Sequence, residues 1–436
     1  MSHPRVGFVT CVHPFYDLPA VAESRERAIE ELRRSGCEVV AAGIPRTSHD
    51  AVEAARQFRQ ADIDLAVLFF CTWVAEDITL ALARELMDVP MLLWALPYLD
   101  RAVPMPSPMS GLVASGSNIR RLGKRFTYQI GAVDPESVRR AARAARVAAV
   151  VRGLRRARFG IVGYPCPGMV DVGVDEADLQ KALGVTTVHL DLDGLLKSAE
   201  AASPAEALRA AERLPGDREI APERLAENLR LYVALKETVA HHQLDAYCVR
   251  CWPELRDQRK ITPCAAHALM ALDGVPSTCE VDLTALVTTY ILSRLADAPA
   301  FNFDITAYLE EEDAIQLAHC GAAAPSLAEG PDEVRIRAHM RTGTGATVEF
   351  PFKRGPVTLA KLLRPSNGTL KCFVARGEAI SSDGIRGSVA TVKPEPSAAA
   401  FMDRVMREAV EHHIALVYGD WGSDLEMFCE FAGIHL

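Results

Sequence analysis

The chain has 436 residues, 49% of them hydrophobic and 24% charged, with a net charge of −9. Single cores stop growing near roughly 250–300 residues, so two or three domains are expected. An acidic balance without a Lys/Arg block argues against a nucleic-acid footprint and against binding to an anionic membrane surface. The first residues, MSHPRVGFVTCV, lack the apolar stretch of a signal peptide, and runs such as LAVLFF and VPMLLWAL stop well short of the roughly 18 residues of a membrane span. Eleven cysteines are scattered along the chain. Cys248 and Cys251 in CVRC have metal-site spacing but no second pair or Cys/His continuation, so reduced thiols in a cytoplasmic protein are expected.

In chain order, RVGFVTCV reads as a strand buried on both faces. PAVAESRERAIEELRRSG is an amphipathic helix stopped by Gly36. EVVAAGI, DLAVLFFCTW and PMLLWALP follow as strands, separated by the helices HDAVEAARQFRQAD and AEDITLALAREL. This alternation implies a doubly wound parallel sheet, with ligand loops at the strand ends Cys11–Tyr16, Thr72–Glu76 and Leu96–Asp100. An arginine-rich helix leads into a second α/β unit containing the strands RFGIVGY, TTVHLDL and LDAYCVRCW. TPCAAHALMALDG is a helix with Thr262 as its expected N-cap. A further helix is expected from about Leu283 to Leu295. After it, VRIRAHM, ATVEFPFKRGPVTLAKLL, LKCFVARGEAI and GSVATVKP alternate between Gly/Pro/Ser turns, as in a mostly antiparallel, barrel-like β domain. The helix AAAFMDRVMREAVEHH is expected to deliver His412 and His413. The fold class is therefore α/β, with two doubly wound Rossmann-like domains (1–155 and 156–297) and a C-terminal β domain (298–436).

A divalent metal needs carboxylates and imidazoles converging from separate elements. Three places supply them: Glu254 in CWPEL after an apolar strand, Glu280 and Asp282 in CEVD before a helix, and the pair His412 and His413 at the mouth of IALVY. An extended CEVD would point both of its carboxylates to one side. Two carboxylates and one imidazole with open positions suit octahedral Mn²⁺ or Mg²⁺ better than zinc. Alternation along a strand allows only one of two adjacent histidines to face a given ion. His319 in HCG is either a site residue or a strand-end histidine. Trp73 and Trp252, in strand-end loops, are candidates for substrate contact.

The phrases VPMLLWALP, RRLGKRF, RFGIVGYPCPGMVD, VRCWPEL, PSTCEVDLTAL, FNFDITAYLEEEDAIQLAHCG, GPVTLAKL and HHIALVYGD, in that order, resemble the L-fucose/L-arabinose isomerase superfamily, nearer its fucose-isomerase branch. The resemblance implies two α/β domains and a C-terminal domain with a β-barrel part. It implies Mn²⁺, with Mg²⁺ or Co²⁺ as substitutes, held by Glu254, Asp282 and His413. Glu280 is an alternative ligand, and His412 a neighbour that packs or touches substrate. The implied activity is aldose–ketose isomerisation of a monosaccharide through an ene-diol, with Glu254 and Asp282 as the working carboxylates. Hexoses, pentoses, deoxy sugars and anionic sugars such as a sulfonated hexose all fit. A homo-oligomer, foremost a hexamer, is implied as well. Where relatives read closer to CEGDVNGAL, this chain has CEVDLTAL. A sugar-binding homologue without turnover is one rival reading, against which the presence of Glu254, Asp282 and His413 argues, and another metal enzyme on the same fold is a second.

Overall fold

The computed structural model of the chain describes residues 3–16, 18–99, 107–364, 369–382 and 384–436. Asp100, at the end of the third expected ligand loop, lies outside them. The chain divides into two compact units, Met1–Gly153 with Asp424–Ile434, and Leu154–Ser423 with His435–Leu436.

The first unit is built on a five-stranded parallel sheet in the spatial order Glu38–Ala41, Arg5–Cys11, Leu65–Phe70, Met91–Ala95, Thr127–Ile130. Leu65–Phe70 and Met91–Ala95 are buried at every position, as strands covered by helices on both faces must be. Gly7 is required by that packing, because a Cβ there would lie 2.6 Å from the Ile63 side chain and 2.9 Å from Phe58. The strand order reverses between Arg5–Cys11 and Leu65–Phe70, and the loops after these two strands carry His13 and Trp73, whose ring centres lie 5.0 Å apart.

The second unit joins two sheets. The first is parallel and four-stranded, in the order Ser277–Cys279, Ala246–Val249, Arg158–Val162, Thr186–Leu190. The second is a mixed nine-stranded sheet. In it Ala314–His319, Phe301–Leu309, His413–Tyr418, Gly355–Leu363, Lys371–Ile380 and Ser388–Pro394 pair antiparallel in turn, and the last pairs back to the first. One hydrophobic core, including Val249, Leu229, Phe303, Phe350, Leu359 and Ile414, runs through both sheets of this unit.

Three local expectations are corrected. The helix expected from Thr262 spans Cys264–Leu272 with Pro263 at its N-cap. Thr262 instead spends its hydroxyl on Ala346, donating to its carbonyl at 2.9 Å and accepting from its N–H at 3.1 Å. The last helix before the histidines stops at Arg407, and Ala409 has φ +53°, so it is the strand His413–Tyr418 that positions them. CEVD is not extended beyond Cys279, because Glu280 and Val281 have φ of +67° and +63°. Two left-handed residues without a glycine, one of them β-branched, turn Glu280 and Asp282 apart.

Candidate metal centre

Strand register builds the site. Phe301–Leu309 lies between His413–Tyr418 and Ala314–His319, and Asp304 pairs directly with His413 on one side and Ala318 on the other. Cross-strand neighbours are in side-chain contact, so Asp304 and His413 meet without any help from a loop. Glu280 arrives from the carboxyl end of the parallel strand Ser277–Cys279, turned in by the left-handed pair. Oxygen and nitrogen atoms of Glu280, Asp304, His412 and His413 lie within 4.8 Å of one another.

His413 is fully buried and its two nitrogens differ. Nδ1 lies 2.7 Å from Asp282 Oδ2, which also accepts from Lys361 Nζ at 2.8 Å. Lys361 and Asp282 are wholly buried, and Lys361 reaches Glu411 Oε2 at 3.0 Å. Asp282 caps the helix Leu283–Ala296, its Oδ1 accepting from Ala285 N at 2.8 Å and Thr284 Oγ1 at 2.9 Å. By contrast, His413 Nε2 stands 3.1 Å from Glu280 Oε2 and 3.2 Å from Asp304 Oδ1. Neither Nε2 nor Glu280 Oε2 has a hydrogen bond, although both are buried. Burying polar groups without partners costs on the order of 1–3 kcal/mol each. Such orphans, an imidazole nitrogen facing two carboxylates, are what a bound cation would satisfy, and hard oxygen ligands with imidazole fit Mn²⁺ or Mg²⁺.

The electrostatics agree. Burial alone would lower His413, but Asp282, Asp304 and Glu280 outweigh it and raise it to about 10. Burial would raise Asp304, yet His413 and His319 bring it down to about 2, and Glu280 is lowered in the same way. Both carboxylates are therefore ionised at neutral pH.

A cavity of about 250 Å³ opens beside Glu280, Asp304 and His319 and is also lined by Trp252, Arg256, Cys320, His339 and Arg341. Trp252 Nε1 donates to Glu280 Oε1 at 3.4 Å. His319 Nε2 is 4.0 Å from Glu280 Oε2. Burial would lower His319, but its neighbours Cys320, Asp304 and Glu280 raise it to about 10. Burial would raise the Cys320 thiol, while His319 and His339 pull it down to about 6.

Of the residues expected from sequence, Glu280, His412 and His413 come together, while Glu254 and Asp282 are outside that group. Glu254 starts a short π-helical turn and its carboxylate is taken by Arg250 Nε at 2.7 Å. Asp282 is behind His413, as described. His412 comes just before the strand's first residue, so strand alternation does not apply and its ring stays beside His413, with centroids 4.0 Å apart. Its Nδ1 is 2.5 Å from Asp171 Oδ2. His319 and Trp252 line the cavity. Trp73 belongs to the first unit, where its indole N–H donates to Glu76 at 3.3 Å. Sequence reasoning passes over Asp304, whose one signal is a carboxylate inside the apolar strand FNFDI. It also passes over Lys361, a lone charge in VTLAKLL.

Residues 317–436 match the L-fucose isomerase, C-terminal domain. A sulfoquinovose isomerase from Priestia aryabhattai is 24% identical over 431 residues, covering 96% of both chains. The resemblance to the fucose-isomerase-like superfamily is borne out. A sulfoquinovose isomerase from Clostridium sp. (strain MSTE9) is 26% identical over 352 residues, 78% of this chain and 79% of that one. Another, from Alkalicoccus urumqiensis, is 24% identical over 420 residues, 92% of this chain and 91% of that one. An open, ligand-free substrate binding protein from Clostridium difficile covers 63% of this chain and 74% of its own at 12% identity and a TM-score of 0.20, too slight a likeness to bear on the fold. No helix among the described residues is long and apolar enough to cross a membrane.

Proposed function

We propose that the chain is a metal-dependent aldose–ketose isomerase whose ion is held by Glu280, Asp304 and His413, with His412 beside them. The observation that carries this reading is the pair of orphaned buried atoms, His413 Nε2 and Glu280 Oε2, facing Asp304 at the wall of a cavity. The cavity, about 250 Å³, falls just below the ~300–1,000 Å³ of drug-sized sites and so suits one sugar. When bound, Mn²⁺ would supply Lewis acidity for the hydroxyl and carbonyl oxygens at C1 and C2.

The chain's own residues do the rest. Asp282 holds the Nδ1 side of His413, so Nε2 is the nitrogen turned to the site. Glu280 and Asp304 are the carboxylates that open to the cavity, and both are ionised. One takes the C2 proton and returns it at C1 while the other handles the O1/O2 protons, the sugar passing through an ene-diol. Asp282 has no part in proton transfer, being fully buried with every bond made to protein. Trp252 borders the cavity and fixes the second oxygen of Glu280. Substrate carries over from the relatives' name as a sulfonated sugar. A cytoplasmic homo-hexamer completes the reading. The test is turnover of a sugar panel, sulfoquinovose included, by protein stripped with EDTA and reloaded with Mn²⁺. Activity should vanish and return, and full activity in stripped protein would overturn the proposal.

A further inference from the structure

The cavity that holds Glu280, Asp304 and His319 is also lined by three side chains the isomerase chemistry does not use, Arg256, His339 and Arg341. Arg256 is already committed, with its Nε and Nη2 2.7 and 3.1 Å from the two oxygens of Asp257 and its guanidinium 5.2 Å from the centre of the Trp252 ring. Arg341 is different. Its guanidinium has no hydrogen bond or ion pair among the described residues.

Arg341 is nonetheless held by a braced turn. The His339 carbonyl accepts from Thr342 N at 3.2 Å and Gly343 N at 2.8 Å, and His339 N donates to Thr344 O at 2.9 Å. Gly345 N donates to Lys260 O at 3.1 Å, and Arg224 donates to Gly343 O at 3.2 Å. Gly343 and Gly345 have φ of +64° and +68°, which this tight path requires. A long cationic side chain carried on a fixed backbone, unpaired, at the wall of a small cavity is an anion receptor in form.

Charge balance names the kind of anion. Of the two arginines in the lining, Arg256 is balanced by Asp257. One positive charge is left over, on Arg341. We infer that Arg341, on the 339–345 turn, is the specificity residue that binds a singly charged sulfonate on the sugar, at the end remote from C1 and C2. This rests on the isomerase reading. It adds which residue selects the charged sugar over its neutral counterpart. A sulfonate stays singly charged at every working pH, whereas a phosphate gains a second charge near pH 6, which one guanidinium would not balance.

The test compares sulfoquinovose, glucose 6-phosphate and glucose with the native protein, Arg341→Met and Arg341→Lys. Initial rates are measured on Mn²⁺-loaded protein, and equilibrium binding by calorimetry on metal-free protein. In Arg341→Met the preference for sulfoquinovose over glucose should fall on the order of 10- to 100-fold, mostly through KM and affinity, as expected for losing a charge-assisted contact. Arg341→Lys should recover part of it. Equal loss for both sugars, or an unchanged preference, would overturn the assignment. Tighter binding of the phosphate than the sulfonate would overturn the choice of anion. If no sugar is turned over, the isomerase reading fails, while the calorimetric preference still decides the role of Arg341.

Discussion

The two nitrogens of His413 face regions of opposite character. Behind Nδ1, Asp282, Thr284, Lys361 and Glu411 form a buried network in which carboxylates and ammonium are matched, and Arg364 closes it at the surface with a 2.8 Å contact to Glu411. Ahead of Nε2, two buried atoms have no hydrogen bond and a cavity begins. Both regions are rich in charge, so charge alone does not mark a site. What distinguishes them is whether the polar atoms are satisfied. A half-satisfied network is costly unless something else completes it, and in the front region the proposed ion would do so. The rear region supplies rigidity: a carboxylate behind a metal-ligating histidine fixes ring orientation and tautomer.

If the front region is the metal centre, changes there should have the largest effects on turnover. Asp304→Asn, Glu280→Gln and His413→Ala should each cut kcat by on the order of 10²-fold or more, as loss of electrophilic stabilisation commonly does. Each should also weaken Mn²⁺ binding measured by calorimetry. Glu254→Gln tests the boundary of the region. With its carboxylate held by Arg250, it should leave Mn²⁺ affinity within a few-fold, and a loss as large as that of Asp304→Asn would return Glu254 to the ligand set.

The rear region should respond through stability and only indirectly through metal. Asp282→Asn removes the charge opposite Lys361 and the acceptor for His413 Nδ1. Breaking one partner of a buried pair costs about 3–5 kcal/mol, and losing the carboxylate behind a ligating histidine typically costs 10- to 100-fold in metal affinity. Lys361→Met should destabilise by a similar amount, with Asp282 and Glu411 left facing each other, but it keeps the acceptor on His413. Denaturant melts and Mn²⁺ titrations of both variants separate the two roles. If Lys361→Met weakens the metal as much as Asp282→Asn does, orientation of the ring is not what Asp282 contributes.

This division also explains what the chain displays before folding. The alternation of apolar strands and amphipathic helices reports the parallel sheets because its period is local. The suitability of carboxylates and imidazole for a hard cation, and His413 as a candidate donor, are likewise readable from residue types together with the family phrases. Asp304 is not, because its partnership with His413 depends on antiparallel register across more than a hundred residues, which no local pattern encodes. Glu280 and Asp282 are hard to tell apart in sequence because an extended CEVD was the natural reading, and two consecutive left-handed residues without glycine violate that rule. Such conformations cost on the order of 1–3 kcal/mol each and gather at functional sites. Lys361 could have been noticed. Lysine is almost never fully buried unless paired, so a single lysine in VTLAKLL called for an acidic partner.

A pH series separates His413 from Asp304 by sign. In metal-free protein His413 is raised to about 10, against roughly 6.5 in an unfolded chain. The folded state binds the proton more tightly, so this contribution is complete below about pH 6.5 and is lost as pH rises through about 10. Asp304 runs the other way. Lowered to about 2, its contribution is present above its unfolded value of roughly 3.9 and is lost as pH falls through about 2. Thermal melts of EDTA-treated protein should therefore show a loss between pH 7 and 10 that is smaller in His413→Gln. Identical slopes would mean that the carboxylates do not hold a proton on His413.

The smallest effect is expected at His412. It stands at the edge of the front region, its Nδ1 2.5 Å from Asp171 and its Nε2 4.0 Å from Asp304 Oδ1, and its side chain is about one-third exposed. Unlike His413 it has no carboxylate network behind it and no orphaned nitrogen. An exposed pair of this kind contributes about 0–1 kcal/mol. His412→Ala should accordingly leave Mn²⁺ affinity nearly intact, shift stability by no more than that, and change KM more than kcat if the ring borders the sugar. Asp171→Asn should reproduce the change if Asp171 is what holds the ring in place. Calorimetry on His412→Ala beside His413→Ala gives the decision. Loss of metal in the first and retention in the second would exchange the two roles. Retention in both would remove the imidazole from the ligand set and leave Glu280 and Asp304 without the donor that now joins them.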